Sequence, residues 1–269
     1  MVIKIASTLL AAALFAAQGA PSFEVALIKA NTSGTPRTFI SGMQPGGRYT
    51  ATNFTLKQLI LQAYRIQDFQ VAGGPPWLDT DRFDISAKAD RAYTSSQLQP
   101  MMQTLLQQRF ALAVHKEQRD RPLYTLVLDR RDRKFGPRLR QSPVDCAARL
   151  ASGTPPAPPE DGKVPPCATE MRAGRHLIAN GITMAQLSNL LSFQTHATVV
   201  DRTGLTGEYN VDLEWTPDQR VPGAEDTAPP VDAISIFTAV REQLGLKLEP
   251  HKGPVDMLVV DHAEHPTEN

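Results

Sequence analysis

Residues 54–74 read FTLKQLILQAYRIQDFQVAGG, and residues 182–202 read ITMAQLSNLLSFQTHATVVDR. Set one above the other at a constant offset of 128, Thr55 meets Thr183, Gln58 meets Gln186, Leu59 meets Leu187 and Val71 meets Val199. In the first stretch Leu56, Leu59, Ile60, Ala63 and Tyr64 fall at i, i+3, i+4, i+7 and i+8. They share one face of a helix that Thr55 can cap. In the second, Thr183 stands in the same way before Met184, Leu187, Leu190 and Leu191.

The likeness extends outward on both sides. Upstream, GRYTATN (47–53) resembles GRHLIAN (174–180). Downstream, after a two-residue gap, Phe83 in RFDISAKA meets Tyr209 in EYNVDLEW, and PLYTLVLD (122–129) meets PVDMLVVD (254–261). Echoes that keep one order along two halves are the mark of an internal repeat. Each half reads as a strand, a helix, two strands, a second helix and two closing strands. In the first half these are 48–53, the 54–64 helix, FQVAGG, RFDISAKA after the turn PPWLDTD, a helix capped by Ser96, and the strands FALAVHKEQ and PLYTLVLD. The second helix presents Leu98, Met101, Met102, Leu105 and Leu106, and Pro100 is tolerated near its first turn. In the second half ATVVD and EYNVDLEW are strands. The helix ISIFTAVREQL begins at Asp232 or Ser235 and ends at Gly245, a left-handed C-cap, and LKLEP and PVDMLVVD close the unit. FEVALIKA (23–30) is an extra edge or linking strand. The fold class expected is α+β: two tandem β-α-β-β-α-β-β repeats, mostly antiparallel, with helices on one face.

The chain opens MVIKIASTLLAAALFAAQGA. Lys4 supplies a positive start, the apolar run covers 5–17, and Ala17-Gln18-Gly19 offers small residues at a cleavage site, the layout of a secretory signal. The run is shorter than the roughly 20 residues a bilayer-spanning helix needs. The organisation expected is a signal peptide at 1–19, a first repeat at 20–140, a Cys/Pro-rich loop at 141–172, and a second repeat with a short polar tail at 173–269. DQRVPGAEDTAPPVD (218–232) reads as an inserted flexible loop. Export places Cys146 and Cys167 where disulfides persist, and neither has Cys-x-x-Cys spacing or a nearby histidine, so they are read as a structural disulfide.

With 28 basic and 28 acidic side chains the formal net charge is zero, which offers no electrostatic reason to expect nucleic acid or an anionic membrane as partner. The stretch VVDRTGLTGEY (199–209) resembles the aspartate–Thr-Gly strand end of pepsin-like proteases. Such a site needs two carboxylates sharing a proton. Asp201 aligns with Gly73, so the first half lacks the second one. Asp201, Thr203, Gly204 and Gly207 are therefore read as a structural turn. No Gly-x-Ser-x-Gly, His-Glu-x-x-His, phosphate-loop or dinucleotide pattern occurs. His262 and His265 lie in the polar tail DHAEHPTEN, and His115, His176, His196 and His251 are scattered. Trp77 and Trp215 are read as core aromatics, and Asn31 and Asn53 fit the glycosylation pattern. No catalytic, cofactor-binding or metal-ligating residue is assigned.

The strings FEVALIKAN, GRYTATNFTLKQLI, QVAGGPPWLDTDRFDISAKA, LLQQRFALAVHKEQRDRPLYTLVL, VVDRTGLTGEYNVDLEW and EQLGLKLEPHKGPVDMLVVDHAEHPTEN resemble the acidobacterial "Soli" paralogous family of exported proteins of unknown function. The resemblance implies a bacterial, extracytoplasmic protein. Related domains are fused to antibiotic-sensor-type membrane metallopeptidases, which implies sensing or binding. The small β-α-β-β-α-β unit is also similar in outline to the short periplasmic modules of secretins and TonB-dependent receptors. The function expected is that of a non-catalytic binding or protein-interaction protein, periplasmic or extracellular, with an unknown protein or small ligand as partner. It needs no cofactor and keeps no stable membrane insertion after cleavage. Two other readings stand beside it: a secreted hydrolase of cell-wall or extracellular polymer, and a stand-alone sensor module of an envelope signalling system.

Overall fold

The structure is a computed structural model that describes residues 22–35, 37–129, 134–153, 162–173, 175–216 and 234–266. The expected signal peptide and the expected loop at 218–232 lie outside the described residues. The first half of the chain forms β1 (Val25–Ala30), β2 (Phe39–Met43), β3 (Arg48–Thr55), α1 (Leu56–Tyr64), β4 (Val71–Gly73), β5 (Arg82–Lys88), α2 (Ser95–Phe110) and β6 (Ala113–Leu128). Single 3₁₀ turns at Asp68–Gln70 and Pro76–Asp79 flank β4. Then come β7 (Leu139–Gln141), α3 (Cys146–Ala151), β8 (Thr169–Arg172), β9 (His176–Ile182), α4 (Met184–Thr195), β10 (Thr198–Asp201), β11 (Tyr209–Glu214), α5 (Ile236–Leu244) and β12 (Leu246–His262). The architecture is α+β, with most strand pairs antiparallel.

The chain divides into two compact units. The first holds the residues up to Arg65, Gly74–Ala113 and those from Val260 onward; the second holds Ile66–Gly73 and Val114–Val259. In the first unit a sheet of order β1-β5-β3-β2 is antiparallel throughout. Alternation puts Tyr49 and Ala51 of β3, and Phe83, Ile85 and Ala87 of β5, among the buried residues. Helices α1 and α2 pack against each other, α1 also against β3 and α2 against β2. Leu56, Leu59, Ile60 and Ala63 of α1 are buried as their spacing requires, whereas Tyr64 is only half-buried. Each fully buried leucine or isoleucine contributes about 1.5–3 kcal/mol.

Asn53 sits at a bulge in β3 with φ +65° and is 1% exposed. Its amide donates to the carbonyls of Thr35 (2.6 Å) and Arg37 (2.9 Å), and its backbone N–H donates to Asp84 Oδ1 (2.9 Å). A side chain so placed is no glycan acceptor in the folded protein, and the pattern at 53 is structural. The tail after β12 is likewise no free segment in its described part. The His265 ring stacks on Trp77 at 4.1 Å and meets Asp81 Oδ2 at 2.8 Å, while Glu264 N–H donates to the Phe110 carbonyl at 2.7 Å.

The second unit contains two sheets. One has order β7-β11-β9-β8 and is antiparallel; the other has order β10-β6-β12-β4, with β10 parallel to β6. Leu177 and Ala179 of β9, Val211 and Leu213 of β11, Leu187 of α4 and Val240 of α5 belong to one buried cluster. A smaller cluster joins Leu123, Val255 and Met257, with Ala72 and Val200 packed on it.

Local expectations are corrected at three places. The paired closing strands expected in each half are single strands of 16 and 17 residues, β6 and β12. Pro122 and Pro254, the first residues of the expected last strands, lie inside them. Proline fixes φ near −65° and removes one donor, which a strand tolerates where no ladder bond is needed. Helix α2 starts at Ser95 and not after Ser96, because Thr94 is the N-cap and its N–H donates to Gln97 Oε1 at 3.1 Å. Pro100 is consequently the sixth helical residue. The Cys/Pro-rich stretch expected as loop includes α3 and β8.

The two Thr–Gln pairs that stand 128 residues apart form the same local structure. Thr55 with Gln58, and Thr183 with Gln186, form reciprocal capping boxes on α1 and α4. Asn180, like Asn53, donates its amide to an incoming segment, at the Val164 carbonyl (2.6 Å). Cys146 and Cys167 form a disulfide with a Cα–Cα distance of 5.4 Å. The Glu208 carboxylate accepts from the N–H groups of Cys146 (2.6 Å) and Ala147 (3.1 Å) beside it. A Cβ at Gly181, whose φ is +81°, would stand 2.2 Å from Cys146 Sγ, so the bridge packs where only glycine fits.

Two outcomes are expected. Replacing Cys146 and Cys167 together by alanine should lower stability by roughly 3 kcal/mol, since the bridge closes a loop of intermediate length. Urea unfolding without reductant measures this, and equal midpoints would refute it. The second concerns acid. Hydrogen bonds from His265 first, then Thr80, hold the Asp81 carboxyl below the usual carboxylate range. A depressed folded-state pKa gives stabilisation that is present above the unfolded value of about 4 and lost as pH falls through the folded value. The Trp77 indole resonance should therefore move on acidification below about pH 4. That movement should be missing in Asp81→Asn; identical titrations would refute the coupling of Asp81 to His265 and Trp77.

Candidate functional site

Asp201 closes β10, and its Oδ1 accepts from the Thr203 N–H (2.9 Å) and the Thr203 hydroxyl (2.8 Å). Thr203 Oγ1 in turn accepts from the Leu205 N–H at 3.1 Å, and Gly204 and Gly207 have φ of +66° and +86°. Thr203 is buried and Asp201 half-buried. These contacts occupy the carboxylate with its own chain reversal.

The scattered histidines are not brought together. His176 Nε2 meets Asp212 Oδ1 at 2.8 Å, His196 is the left-handed C-cap of α4, and His262 pairs with Glu264 at 2.9 Å. Among the described residues no group of three or more His, Cys, Asp or Glu side chains is placed to hold a metal ion. Trp215 is 5% exposed, in the core of the second unit, while Trp77 carries the His265 stack.

Two concave places merit comparison. The first, of about 370 Å³, lies on the solvent face of the β7-β11-β9-β8 sheet, lined by Arg138, Arg140, Ile178, Asn180, Asn210 and Asp212 among others. Its charges answer one another: Arg138 lies 3.4 Å from Asp212 and 3.7 Å from Glu214. On the same sheet Arg172 holds the Glu170 carboxyl below its ordinary pKa, at 2.8 Å. Exposed pairs of this kind are worth about 0–1 kcal/mol each and leave little field for a charged ligand.

The second place lies wholly in the first unit and is smaller, about 120 Å³. Ile40 of β2, Tyr49 of β3, Gln62 of α1 and Leu98, Gln99 and Met102 of α2 line it. Tyr49 is 1% exposed, and its hydroxyl has no hydrogen-bond partner among the described residues. Burial pushes its phenol far above the ordinary value, so the group is a neutral O–H donor at any physiological pH. Leaving such a hydroxyl unsatisfied in the interior costs about 1–3 kcal/mol. Its ring is fixed by the strand, by Phe23 at 5.9 Å between centroids, and by register opposite Met43 and Ala87.

The sequence does not single out Tyr49, because it reads as one more inward residue of an alternating strand. In the alignment of GRYTATN with GRHLIAN the residue opposite Tyr49 is His176, half-buried in β9, so the likeness of the two stretches carries no signal for it.

Among the described residues no helix is long and apolar enough to cross a membrane. Neither a curated protein nor a solved structure matches the chain. The sequence does match, over residues 57–263, the family described as "Protein of unknown function (DUF3738)", and the chain belongs to that family.

Proposed function

We propose that the protein is an exported, non-catalytic binding protein and that the Tyr49 pocket of the first unit is its ligand site. The observation that carries this reading is a buried tyrosine that lines a cavity and whose hydroxyl has no hydrogen-bond partner among the described residues. Folding selects against such groups, so one that persists on a rigid strand points to a partner supplied from outside. The secretory-signal pattern and the disulfide support export to an oxidising compartment. A ligand-binding role also suits the likeness to the acidobacterial Soli family and to domains fused to sensor-type metallopeptidases. Within this proposal Asp201, Thr203, Gly204 and Gly207 serve chain reversal alone. The halves 20–140 and 173–269 descend from one module, of which the first kept or acquired the site.

Tyr49→Phe tests the reading through a sign that a purely structural tyrosine would not give. The variant removes an unsatisfied polar atom and keeps the ring, so the ligand-free protein should gain about 1 kcal/mol in urea unfolding. The small-molecule fraction of an envelope extract should raise the melting temperature of the wild type more than that of the variant. A destabilised variant, or equal shifts in both proteins, would sink the proposal.

A further inference from the structure

The turn before β5 carries a site built from other groups than those of the Tyr49 pocket, and a segment of the chain itself sits in it. We infer that Trp77 and Asp81 form a docking point for the arginine side chain of a partner peptide, and that His265 is an intramolecular competitor that fills it when no partner is bound.

The site is stiff. The Trp77 carbonyl accepts from the N–H groups of Thr80 (3.2 Å) and Asp81 (3.0 Å), and Leu78, 3% exposed, anchors the turn. A Cβ at Gly74, whose φ is +81°, would stand 2.1 Å from Leu78 Cδ1, so the chain entering the turn packs as closely as glycine allows. The indole stands edge-on to Phe83, with ring centroids 6.2 Å apart. Asp81 Oδ1 accepts from the Thr80 hydroxyl at 2.8 Å, and neighbouring Asp79 pairs with Lys57 at 3.2 Å. Asp81 Oδ2 has one partner among the described residues, the His265 ring.

The occupant shows what the site takes. The His265 imidazole lies over the indole with 27° between planes and 4.1 Å between centroids, while its Nε2 reaches Asp81 Oδ2 at 2.8 Å. One residue earlier, the Glu264 N–H donates to the Phe110 carbonyl at 2.7 Å. A ligand must therefore bring a flat group for the indole, a donor at the edge of that group for the carboxylate, and a main-chain N–H just before it. A peptide supplies the last, which a free small cation lacks. A guanidinium meets the first two better than an imidazole: it is planar, always charged, stacks on aromatic faces and presents a fork of donors matched to a carboxylate. A lysine ammonium has the charge without the plane. The resident segment is held lightly, since the His265 side chain is 55% exposed and Glu264 is exposed. Segments with few buried contacts open locally at little cost. His265 and a partner exclude each other, so the apparent affinity falls by the fraction of molecules whose site is open.

The test follows the two indole N–H groups of the full chain by NMR: Trp77 reports from the site, and Trp215, 5% exposed in the second unit, reports on the fold. Acetyl-Glu-Arg-amide should shift Trp77 saturably, leave Trp215 in place, and bind His265→Ala about fivefold more tightly than the wild type. On His265→Ala, acetyl-Glu-Lys-amide and methylguanidinium should each bind at least about threefold more weakly than the arginine peptide. Adding Asp81→Asn should weaken the arginine peptide by at least about threefold. Equal affinity for wild type and His265→Ala would overturn the competition. A lysine peptide or a bare guanidinium that binds as well would overturn the ligand class. If Trp77 of His265→Ala answers to no probe while Trp215 keeps its position, the site itself is refuted, and the Tyr49 reading is untouched.

Discussion

The second unit depends on the pairing of β6 with β12. The two strands run antiparallel: Asp129 N–H donates to the Gly245 carbonyl at 3.0 Å, and Gln118 reaches Asp256 at 2.9 Å. Strands of 16 and 17 residues are long for a globular protein, and they furnish edges on which much shorter strands can form. β4, with three residues, and β10, with four, would have no stability alone. They exist because β12 and β6 supply backbone partners. The pairing is crossed: β4 of the first half adds to β12 of the second, and β10 of the second adds to β6 of the first. Beneath that exchange lies the small cluster in which Leu123 and Val255, and Ala72 and Val200, occupy matching positions.

Several polar groups among the described residues are spent on local closures. The threonine–glutamine boxes satisfy free N–H groups at the starts of α1 and α4. Asn53 and Asn180 tie incoming segments to the strands that follow them in each sheet. Asp201 ties down its own turn, and Ser192 accepts from the Val199 N–H at 2.8 Å where the chain leaves α4. The Tyr49 hydroxyl, like Asn53 Oδ1, Ser188 Oγ and Thr198 Oγ1, has no hydrogen-bond partner among the described residues. It holds no cap, turn or strand, and the Tyr49 side chain lines a cavity bordered by side chains from two strands and two helices.

That contrast separates two uses of polarity in one scaffold. A group whose partner is a few residues away in sequence raises stability whatever the protein does. A group whose partner is missing lowers it, and natural chains retain such positions chiefly where binding requires them. The ion pairs on the β7-β11-β9-β8 sheet fall in neither class: mutually neutralised and solvated, they contribute solubility more than recognition.

Helix positions, their threonine caps, the alternating strands 48–55, 82–88 and 209–214, and the α+β class follow from residues close together in the chain. Periodicity and capping act over one or two turns or a few residues, so the sequence by itself determined them. Whether 113–128 and 246–262 would break at their prolines was not legible. A proline interrupts a strand only if its missing N–H is needed, and that depends on which chain lies alongside. The crossed partners of β4 and β10, and the convergence of Ile40, Tyr49, Gln62 and Met102 on one cavity, join residues far apart in sequence. Tertiary structure alone decided these, because burial and hydrogen-bond satisfaction are properties of what the folded chain places next to a group, not of the group itself.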